Sequence, residues 1–311
     1  MKPKVLFMVP PAWVALGSQT FASPAYQLFL HGKDEYKPEE IDYFVGFRPP
    51  QGFLKTLTKM KLVISFGAGV DGFLADKEFP RQIPLVRFTE PNLAFEMAQY
   101  CTLYSLSVHR SQHFFEAAQK EGVWRNRMMP RGTDKTRLGV LGMGEIGGKI
   151  AERLASFGFP VSGWSKTRKQ IANVKSFAGA GELDAFLGQV DILSVVLPQT
   201  PETINLMDKA FFAKMPKGAW IINVARGTII VDQDMVDALD SGQLGGAVLD
   251  VFRTEPLPAD HPFWKHPKIT ITPHVAGITD PTMALAYVET TVKKWEAGEK
   301  LADIVDLDRG Y

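Results

Sequence analysis

Short, uninterrupted apolar runs alternate with helical segments along most of this chain. One such run, LGVL at residues 138–141, is followed by a helical pattern over residues 146–157. A strand with one face in water alternates apolar and polar residues, so uninterrupted runs indicate strands that are covered on both faces. Because these strands alternate with helices, the sequence predicts an α/β fold built on doubly wound parallel sheets.

The predicted strands fall into two series, which implies two domains. They lie at residues 5–9, 42–45, 62–64 and 85–88, then at 138–141, 161–164, 192–197, 220–224, 247–251 and 269–272. A helical stretch at about 92–121 separates the series, and a last helix, roughly 281–298, follows the second. We expect residues 1–98 and 278–311 to form one domain and residues 99–277 the other. Ligands are expected in the cleft between them.

Composition excludes several classes of protein. With 35 basic and 34 acidic residues among 311, the chain gives no reason to expect a nucleic-acid or membrane-surface partner. No stretch approaches the roughly 20 apolar residues of a membrane span. The single cysteine, Cys101, rules out an intrachain disulfide and fits a reducing cytoplasm, so we expect a cytoplasmic protein. The six histidines show no zinc spacing, and no metal is expected.

A glycine run follows the strand predicted at 138–141 and opens the next helix. It has the pattern G-x-G-x-x-G, in which glycines permit a tight turn, close approach of a pyrophosphate and close helix–strand packing. The free N–H groups at the start of the helix favour an anion. A purely structural turn is the alternative. The residues predicted to bind a dinucleotide here are Gly142, Met143, Gly144, Glu145 and Ile146.

The stretch GWSKTRK, residues 163–169, lies where the second strand of such a fold ends. An acidic residue there would bind the ribose hydroxyls of NAD, whereas two hydroxyls and three cations suit the 2′-phosphate of NADP. We therefore predict adenosine-side contacts from Trp164, Ser165, Lys166 and Arg168 and a preference for NADPH, with NADH as the lesser cofactor. A solvated surface loop is the alternative interpretation.

Four later stretches, read with the glycine run, carry a family resemblance. They are VVLPQTPET (195–203), INVARGTIIVD (222–232), GAVLDVFRTEPLP (246–258) and ITPHVAGIT (271–279). In this order and spacing the chain resembles the D-isomer-specific 2-hydroxyacid dehydrogenases over nearly its whole length. WSKTRK and the tail DLDRGY are most similar to the glyoxylate/hydroxypyruvate reductase A subgroup. The resemblance implies a Rossmann dinucleotide-binding domain at residues 99–277 and a flavodoxin-like substrate domain at residues 1–98 and 278–311. It also implies a homodimer paired through the arm near residues 100–130.

The resemblance also implies a catalytic trio of Arg226, Glu255 and His274. Arg226 follows an apolar strand, and its guanidinium suits a carboxylate and a polarised carbonyl. His274 also follows a strand, and histidine titrates near neutral pH, so it can donate a proton. Glu255 would orient the imidazole and favour its charged form. Arg226 and His274 are expected to contact substrate, and His274 also the cofactor.

Further site residues follow by matching to the family. Asp250 is expected either to orient the nicotinamide carboxamide or to be a buried structural carboxylate. A nest of backbone N–H groups in SFGAGVDG (65–72) is predicted to bind the substrate carboxylate, with a plain turn as the alternative. Arg48 and Trp124 are weaker candidates for facing the cleft. The remaining matches are Leu197, Pro198, Thr200, Val224 and Ala225 along the cofactor, and Ala68, Gly69 and Val70 at the carboxylate.

The expected function is reduction of small 2-keto acids, glyoxylate to glycolate and hydroxypyruvate to D-glycerate. One alternative is a dehydrogenase for a bulkier 2-hydroxy acid. Another, from a different class, is a nucleotide-sensing, corepressor-like binding protein. The sequence leaves open the physiological direction and the size of the substrate side chain.

Overall fold

The computed structural model describes residues 2–10, 13, 21–88, 90, 92–126 and 132–308. Two compact units are present: a discontinuous unit, Met1–Pro91 with Thr279–Tyr311, and a central unit, Asn92–Ile278. The domain boundary expected at 98/99 falls inside a helix, Leu93–His109, that belongs to the central unit. Residues 309–311 of the tail and 127–131 of the predicted dimer arm lie outside the described residues.

All strands that pair in the two sheets are parallel. Those of the discontinuous unit are β1 (Lys4–Met8), β2 (Gln27–Leu30), β3 (Tyr43–Gly46), β4 (Leu62–Ser65) and β5 (Leu85–Arg87). Those of the central unit are β6 (Leu138–Leu141), β7 (Val161–Ser165), β8 (Val174–Ala178), β9 (Ile192–Val195), β10 (Ala219–Asn223), β11 (Leu244–Leu249) and β12 (Ile269–Ile271).

The α-helices of the described residues cover these sheets. They are α1 (Asp71–Leu74), α2 (Leu93–His109), α3 (Gln112–Lys120), α4 (Glu145–Ser156), α5 (Leu183–Leu187), α6 (Lys209–Ala213), α7 (Asp232–Asp240) and α8 (Pro281–Glu296). The helix expected at 92–121 is in fact two, because Ser111 adopts the left-handed conformation (φ 57°) between α2 and α3. No helix among the ranges given above is long and apolar enough to cross a membrane.

Strand order confirms the predicted fold class. The discontinuous unit has the order β2-β1-β3-β4-β5, which is that of flavodoxin-like sheets. The central unit has β12-β11-β10-β9-β6-β7-β8, the Rossmann order with one strand added. The predicted roles of the two units stay predictions.

Both faces of the discontinuous unit's sheet are buried, as the uninterrupted apolar runs predict. Val5 and Phe7 pack on one face in a cluster that includes Val288 of α8, while Leu6 and Phe44 pack on the other. β2 and β8 were not predicted. Both are edge strands with few fully buried residues, so their sequences lack the continuous apolar signal.

The parallel arrangement brings the loops after β6, β7, β9, β10 and β11 to one edge of the central sheet. These strands are neighbours in the order β11-β10-β9-β6-β7. The order reverses at β6, and ligands of open parallel sheets bind at such a reversal, outside the carboxyl ends of the strands. Most of the candidate residues lie in these loops.

Candidate active site

The three glycines of the glycine run, two in the loop after β6 and Gly147 in α4, meet different surroundings. Gly142 has a φ of 109°, a conformation that other residues rarely adopt. A Cβ on Gly147 would lie 1.7 Å from the Gly142 carbonyl oxygen, so α4 packs against the loop without room for a side chain. Gly144 stands just before α4, and a Cβ there would meet no protein atom within 4 Å. The fold therefore requires Gly142 and Gly147, whereas the space at Gly144 is open to a ligand.

The residues between these glycines divide by exposure. Met143 is buried, and a Cβ on Gly163 of β7 would lie 2.3 Å from its sulfur. Its side chain thus packs the loop onto β7, which leaves its backbone for a ligand. Glu145 is exposed in the first turn of α4, and Ile146 is half-buried.

The cations after β7 are not equivalent. Arg168 Nη2 donates to both carboxylate oxygens of Glu182, at 2.6 and 2.7 Å, and its Nη1 donates to the Ser176 carbonyl at 2.5 Å. The Ala178 N–H and Arg168 together lower the pKa of Glu182. Lys166 is exposed and makes no hydrogen bond or ion pair with the described part of the chain. Lys166 therefore has no salt bridge to break before it contacts an anion, although it acts on the nearby Glu202 carboxylate, whereas Arg168 is paired with Glu182.

Two other predicted residues of this region make local hydrogen bonds. Ser165 Oγ donates to the Thr167 carbonyl at 2.7 Å, which bends the chain just after β7. Trp164 is buried, and its indole N–H donates to the Gly179 carbonyl at 2.9 Å. This bond ties the end of β7 to the chain just after β8.

The loop after β9 is closed by its threonines. Thr203 Oγ1 donates to the Pro198 carbonyl at 2.7 Å and accepts the Thr200 N–H at 2.8 Å. Thr200 is buried, Leu197 is half-buried and Pro198 is exposed. Thr200 Oγ1 donates to Glu202 at 2.6 Å. This bond, the Glu202 backbone N–H and Lys166 lower the pKa of Glu202.

After β10 the buried side-chain amide of Asn223 stabilises a turn of the chain. Asn223 is fully buried, with Oδ1 accepting the Ala225 N–H at 3.0 Å and Nδ2 donating to the Arg226 carbonyl at 3.1 Å. Val224 and Ala225 are buried between them. The half-buried Arg226 donates from Nη1 to the Ala225 carbonyl at 2.7 Å. The turn therefore presents Arg226 at the carboxyl edge of the sheet.

Glu255 and His274 come together from the loops after β11 and β12. Glu255 Oε2 lies 2.8 Å from His274 Nδ1, and Oε1 accepts the Phe252 N–H at 2.9 Å. The His274 side chain is 43% exposed, and the described residues make no hydrogen bond to its other ring nitrogen, Nε2. His274 itself has a φ of 57°, an unusual backbone conformation that the surrounding structure must stabilise.

Asp250 supplies that stabilisation. The carboxylate is buried and accepts Thr272 Oγ1 (2.6 Å) and the N–H groups of Val275 (2.8 Å) and Ala276 (2.9 Å). Its carbonyl accepts the His274 N–H at 2.8 Å. Two roles were expected for Asp250, and these bonds support the one as a buried structural carboxylate. The other role, orienting the nicotinamide carboxamide, stays a prediction. No group of described His, Cys, Asp and Glu residues could hold a metal ion.

The predicted carboxylate loop lies in the discontinuous unit. Ser65 Oγ donates to the carbonyls of Gly67 (2.9 Å) and Gly69 (3.2 Å), which curls the loop. Ala68 and Gly69 are half-buried and Val70 is buried. Arg48 crosses Gly72, where a Cβ would lie 2.2 Å from Arg48 Cγ, and its Nη2 lies 3.3 Å from Asp71 Oδ2. Arg48 therefore stands beside the predicted loop within this unit. Trp124, in the central unit, is 93% exposed.

Two residues of this region were missed at the sequence level. Thr272 joins Asp250 to Tyr100, whose hydroxyl lies 2.5 Å from Thr272 Oγ1. Arg253 lies two residues before Glu255 and donates to carbonyls of the loop after β10. A threonine and an arginine in loops carry no local signal that distinguishes such roles from solvent exposure.

Comparison with known proteins identifies the family. A model described as "D-isomer specific 2-hydroxyacid dehydrogenase, NAD binding domain" matches residues 102–276. The chain belongs to the D-isomer specific 2-hydroxyacid dehydrogenase family. The resemblance found in the sequence is thereby confirmed, and the protein is an NAD(P)-dependent enzyme of this family with an NAD-binding domain.

Relatives of the whole chain support this assignment. Glyoxylate/hydroxypyruvate reductase A of Serratia proteamaculans is 39% identical over 304 residues, which cover 96% of each chain. The NADPH-dependent glyoxylate/hydroxypyruvate reductase of Sinorhizobium meliloti, in complex with NADP and sulfate, has a TM-score of 0.91 and 34% identity over 100% of both chains. A family member of Xanthobacter autotrophicus, in complex with NADPH and MES, has a TM-score of 0.88 and 36% identity over 100% of both.

Proposed function

We propose that this protein reduces small 2-keto acids, glyoxylate to glycolate and hydroxypyruvate to D-glycerate, with NADPH as the preferred cofactor. The observation that carries the proposal is the Glu255–His274 pair, with Nδ1 held at 2.8 Å and Nε2 open. A histidine fixed in this way can donate a proton to a carbonyl oxygen. The relatives named as reductases of glyoxylate and hydroxypyruvate support this choice of substrates.

The loop after β6 fits a dinucleotide. Open space at Gly144 and the unpaired N–H groups at the start of α4 suit a pyrophosphate. Leu197, Pro198, Thr200, Val224 and Ala225 would line the path toward the reacting end. When bound, the cofactor supplies the hydride that adds to C2 of the keto acid.

Three side chains of the central unit would then bind the negatively charged substrate and donate the proton to its carbonyl oxygen. Arg226 would bind the substrate carboxylate and polarise its carbonyl. His274 would donate the Nε2 proton to the carbonyl oxygen as C2 is reduced, and would regain a proton from solvent afterwards. Glu255 would keep the Nδ1 proton directed at its own carboxylate, so that Nε2 is the nitrogen that reacts.

The discontinuous unit is proposed to bind the substrate carboxylate. Backbone N–H groups of Ala68, Gly69 and Val70 are candidates, since Ser65 Oγ bonds in this loop to the carbonyls of Gly67 and Gly69 and to the N–H of Gly67, and not to these three N–H groups. Arg48, beside this loop, would add positive charge.

The preference for NADPH rests on the end of β7. No acidic residue occurs in the stretch 163–169, and Lys166 is exposed with no ion pair among the residues described. Ser165, Lys166 and Arg168 are the proposed phosphate contacts. The bound NADP or NADPH of the Sinorhizobium and Xanthobacter proteins supports the same preference. Homodimerisation stays a prediction, which size-exclusion chromatography with light scattering would test.

The test is a panel of keto acids with each cofactor. We expect loss of the reduced-nicotinamide absorbance with NADPH and glyoxylate or hydroxypyruvate, and slower loss with NADH. Faster turnover of a bulky keto acid would favour the alternative substrate class. Absence of turnover with every keto acid and both cofactors would refute the proposal.

A matched pair of histidine variants locates the chemistry. His274→Gln should lower kcat by about 10²-fold or more. The control is His266→Gln, because His266 also faces a carboxylate, with Nε2 3.4 Å from Asp240, but precedes β12 at the opposite edge of the sheet. His266→Gln should leave kcat unchanged. Equal losses in both variants would contradict the assignment of His274.

A further inference from the structure

Arg253 has no part in the chemistry proposed above, yet its side chain joins three loops at the edge of the sheet. Its Nη2 donates to the Ile230 carbonyl and to the Asn205 side-chain oxygen, and approaches the Thr228 carbonyl at 3.3 Å. Its Nε lies 3.5 Å from Asp232 Oδ1. Asn205 follows β9, Thr228 and Ile230 follow β10, and Arg253 follows β11.

The loops that Arg253 joins are also in backbone contact. A Cβ on Gly227 would lie 2.0 Å from the Phe252 carbonyl carbon and 2.4 Å from the Arg253 nitrogen. Gly227 directly follows Arg226, and the Phe252 N–H donates to Glu255. A shift of the Arg253 loop would therefore be transmitted to Arg226 on one side and to the Glu255 carboxylate on the other.

The Nε of Arg253 faces the carboxylate of Asp232. Asp232 Oδ2 lies 3.5 Å from His261 Nε2, so the carboxylate faces two basic groups. Burial raises the pKa of Asp232, while the nearby Arg253 and His261 act in the opposite direction. These groups line a cavity of about 160 Å³. Truncation of Arg253 would enlarge this space and remove the donor that it supplies to the Ile230 carbonyl and the Asn205 side-chain oxygen.

We propose that Arg253 is a positioning residue that sets the loop of Arg226 against the loop of Glu255, and through Glu255 orients His274. The inference rests on the proposed function of that trio. It assigns Arg253 no contact with substrate or cofactor. Small displacements of reacting groups have large effects on rate. Loss of the Arg253 contacts should therefore slow mainly the chemical step.

The test compares Arg253→Met and Arg253→Lys with a matched control. Arg137→Met is the control, because Arg137 is likewise a partly exposed arginine paired with an aspartate, at 2.9 and 2.8 Å from Asp191, but it lies at the amino ends of β6 and β9. Both Arg253 variants should lower kcat for glyoxylate about 10- to 100-fold while the Kd for NADPH changes by less than about threefold. Lysine should not rescue, because one ammonium cannot replace the guanidinium fork.

Two further measurements separate positioning from a general loss of stability. With NADPH deuterated at the transferred position, the isotope effect on kcat should rise in the Arg253 variants, since hydride transfer becomes slower. In the cofactor-free protein, amide exchange at Phe252 and His274 should become faster in Arg253→Met and not in Arg137→Met. Arg137→Met should lower Tm with kcat kept within about twofold.

Each outcome decides the proposal. Unchanged kcat in Arg253→Met, or a loss that Arg137→Met reproduces at equal Tm, would overturn it. If the wild-type protein reduces no keto acid, the proposed function fails. The amide-exchange comparison then still shows whether Arg253 holds the Glu255 and His274 loops. Equal exchange in the two variants would refute the positioning role of Arg253.

Discussion

Glu255 Oε2 lies 2.8 Å from His274 Nδ1, and this contact joins two loops that follow neighbouring strands. Each partner is held separately. Glu255 accepts the Phe252 N–H through its other oxygen, and His274 is kept in the left-handed conformation by its N–H bond to the Asp250 carbonyl. The imidazole orientation is thus set by the protein's own groups, which is the condition for efficient proton transfer.

Replacement of Glu255 should weaken catalysis without removing the cofactor. Glu255→Gln keeps an oxygen for the Phe252 N–H but loses the carboxylate that orients His274 Nδ1, so kcat should fall about 10- to 100-fold. Steady-state kinetics with glyoxylate measures this fall, and fluorescence titration should give an NADPH Kd close to that of the wild type. A variant with unchanged kcat would remove Glu255 from the mechanism.

Gly144 and Gly147 should respond differently to the same change. Gly144→Ala places a methyl group in open space, so the cofactor-free protein should keep its Tm while NADPH binding weakens by about tenfold or more. In Gly147→Ala the methyl group would collide with the Gly142 carbonyl, so Tm should fall even without cofactor. Thermal melting and NADPH titration of both variants test this pair. Wild-type affinity in Gly144→Ala would mean that no pyrophosphate approaches there.

Lys166 should contribute to the choice between cofactors. Lys166→Gln should raise KM for NADPH by about tenfold and leave KM for NADH nearly unchanged, because only NADPH carries the 2′-phosphate. Arg168→Gln should show the same selectivity, with an additional disturbance of the loop, since it also leaves Glu182 without its ion pair.

Lys149→Gln is the control for these variants. Lys149 is an exposed lysine of α4 that pairs with Glu152 at 2.8 Å. Its replacement should change neither KM. If Lys166→Gln raises both KM values equally, or neither, the stretch 163–169 is a solvated loop and the cofactor preference has another origin.

His109 should make stability depend on pH. Burial lowers the pKa of His109, and the charge of Arg110 acts in the same direction. The unfolded chain therefore binds a proton at this position at higher pH than the folded protein does. The stability is fully present above the unfolded value of about 6.5 and is lost as the pH falls toward the lowered folded-state pKa.

The measurement is urea unfolding of the wild type and His109→Gln at about pH 8 and about pH 5.5. Glutamine keeps a partner for Thr136 Oγ1, which lies 3.0 Å from His109 Nδ1, but does not titrate. The wild type should lose more stability between the two pH values than the variant does. Parallel losses would show that His109 does not contribute to the pH dependence.

Several features could be predicted from local patterns alone. The uninterrupted runs at β3, β4 and β6 predicted buried parallel strands, because each residue of such a strand faces a covered side. The glycine run predicted a turn between strand and helix, and Gly142 and Gly147 prove to be required by backbone conformation and packing. The family resemblance singled out Glu255 and His274, but their distance could not be read from the sequence.

Other features could not be predicted, because the local sequence pattern does not record them. β2 and β8 were missed because edge strands do not need continuous apolar residues. The stretch predicted as one helix at 92–121 breaks at Ser111, whose left-handed conformation no apolar pattern records. Arg168 stays a predicted phosphate contact, but its ion pair with Glu182, fourteen residues later, was not foreseen, because the pairing of β7 with β8 brings the two side chains together.

The sequence by itself determined the two parallel sheets, the loop for a dinucleotide and the residue types available for proton transfer. Each of these follows from periodicity or from contiguous residues. Only the tertiary structure decided that Asp250 holds the His274 loop and that Arg253 spans the loops after β9, β10 and β11. The partners in these bonds lie 23 to 48 residues apart. Their meeting depends on strand order and on the close approach of backbones at Gly227, which no local pattern encodes.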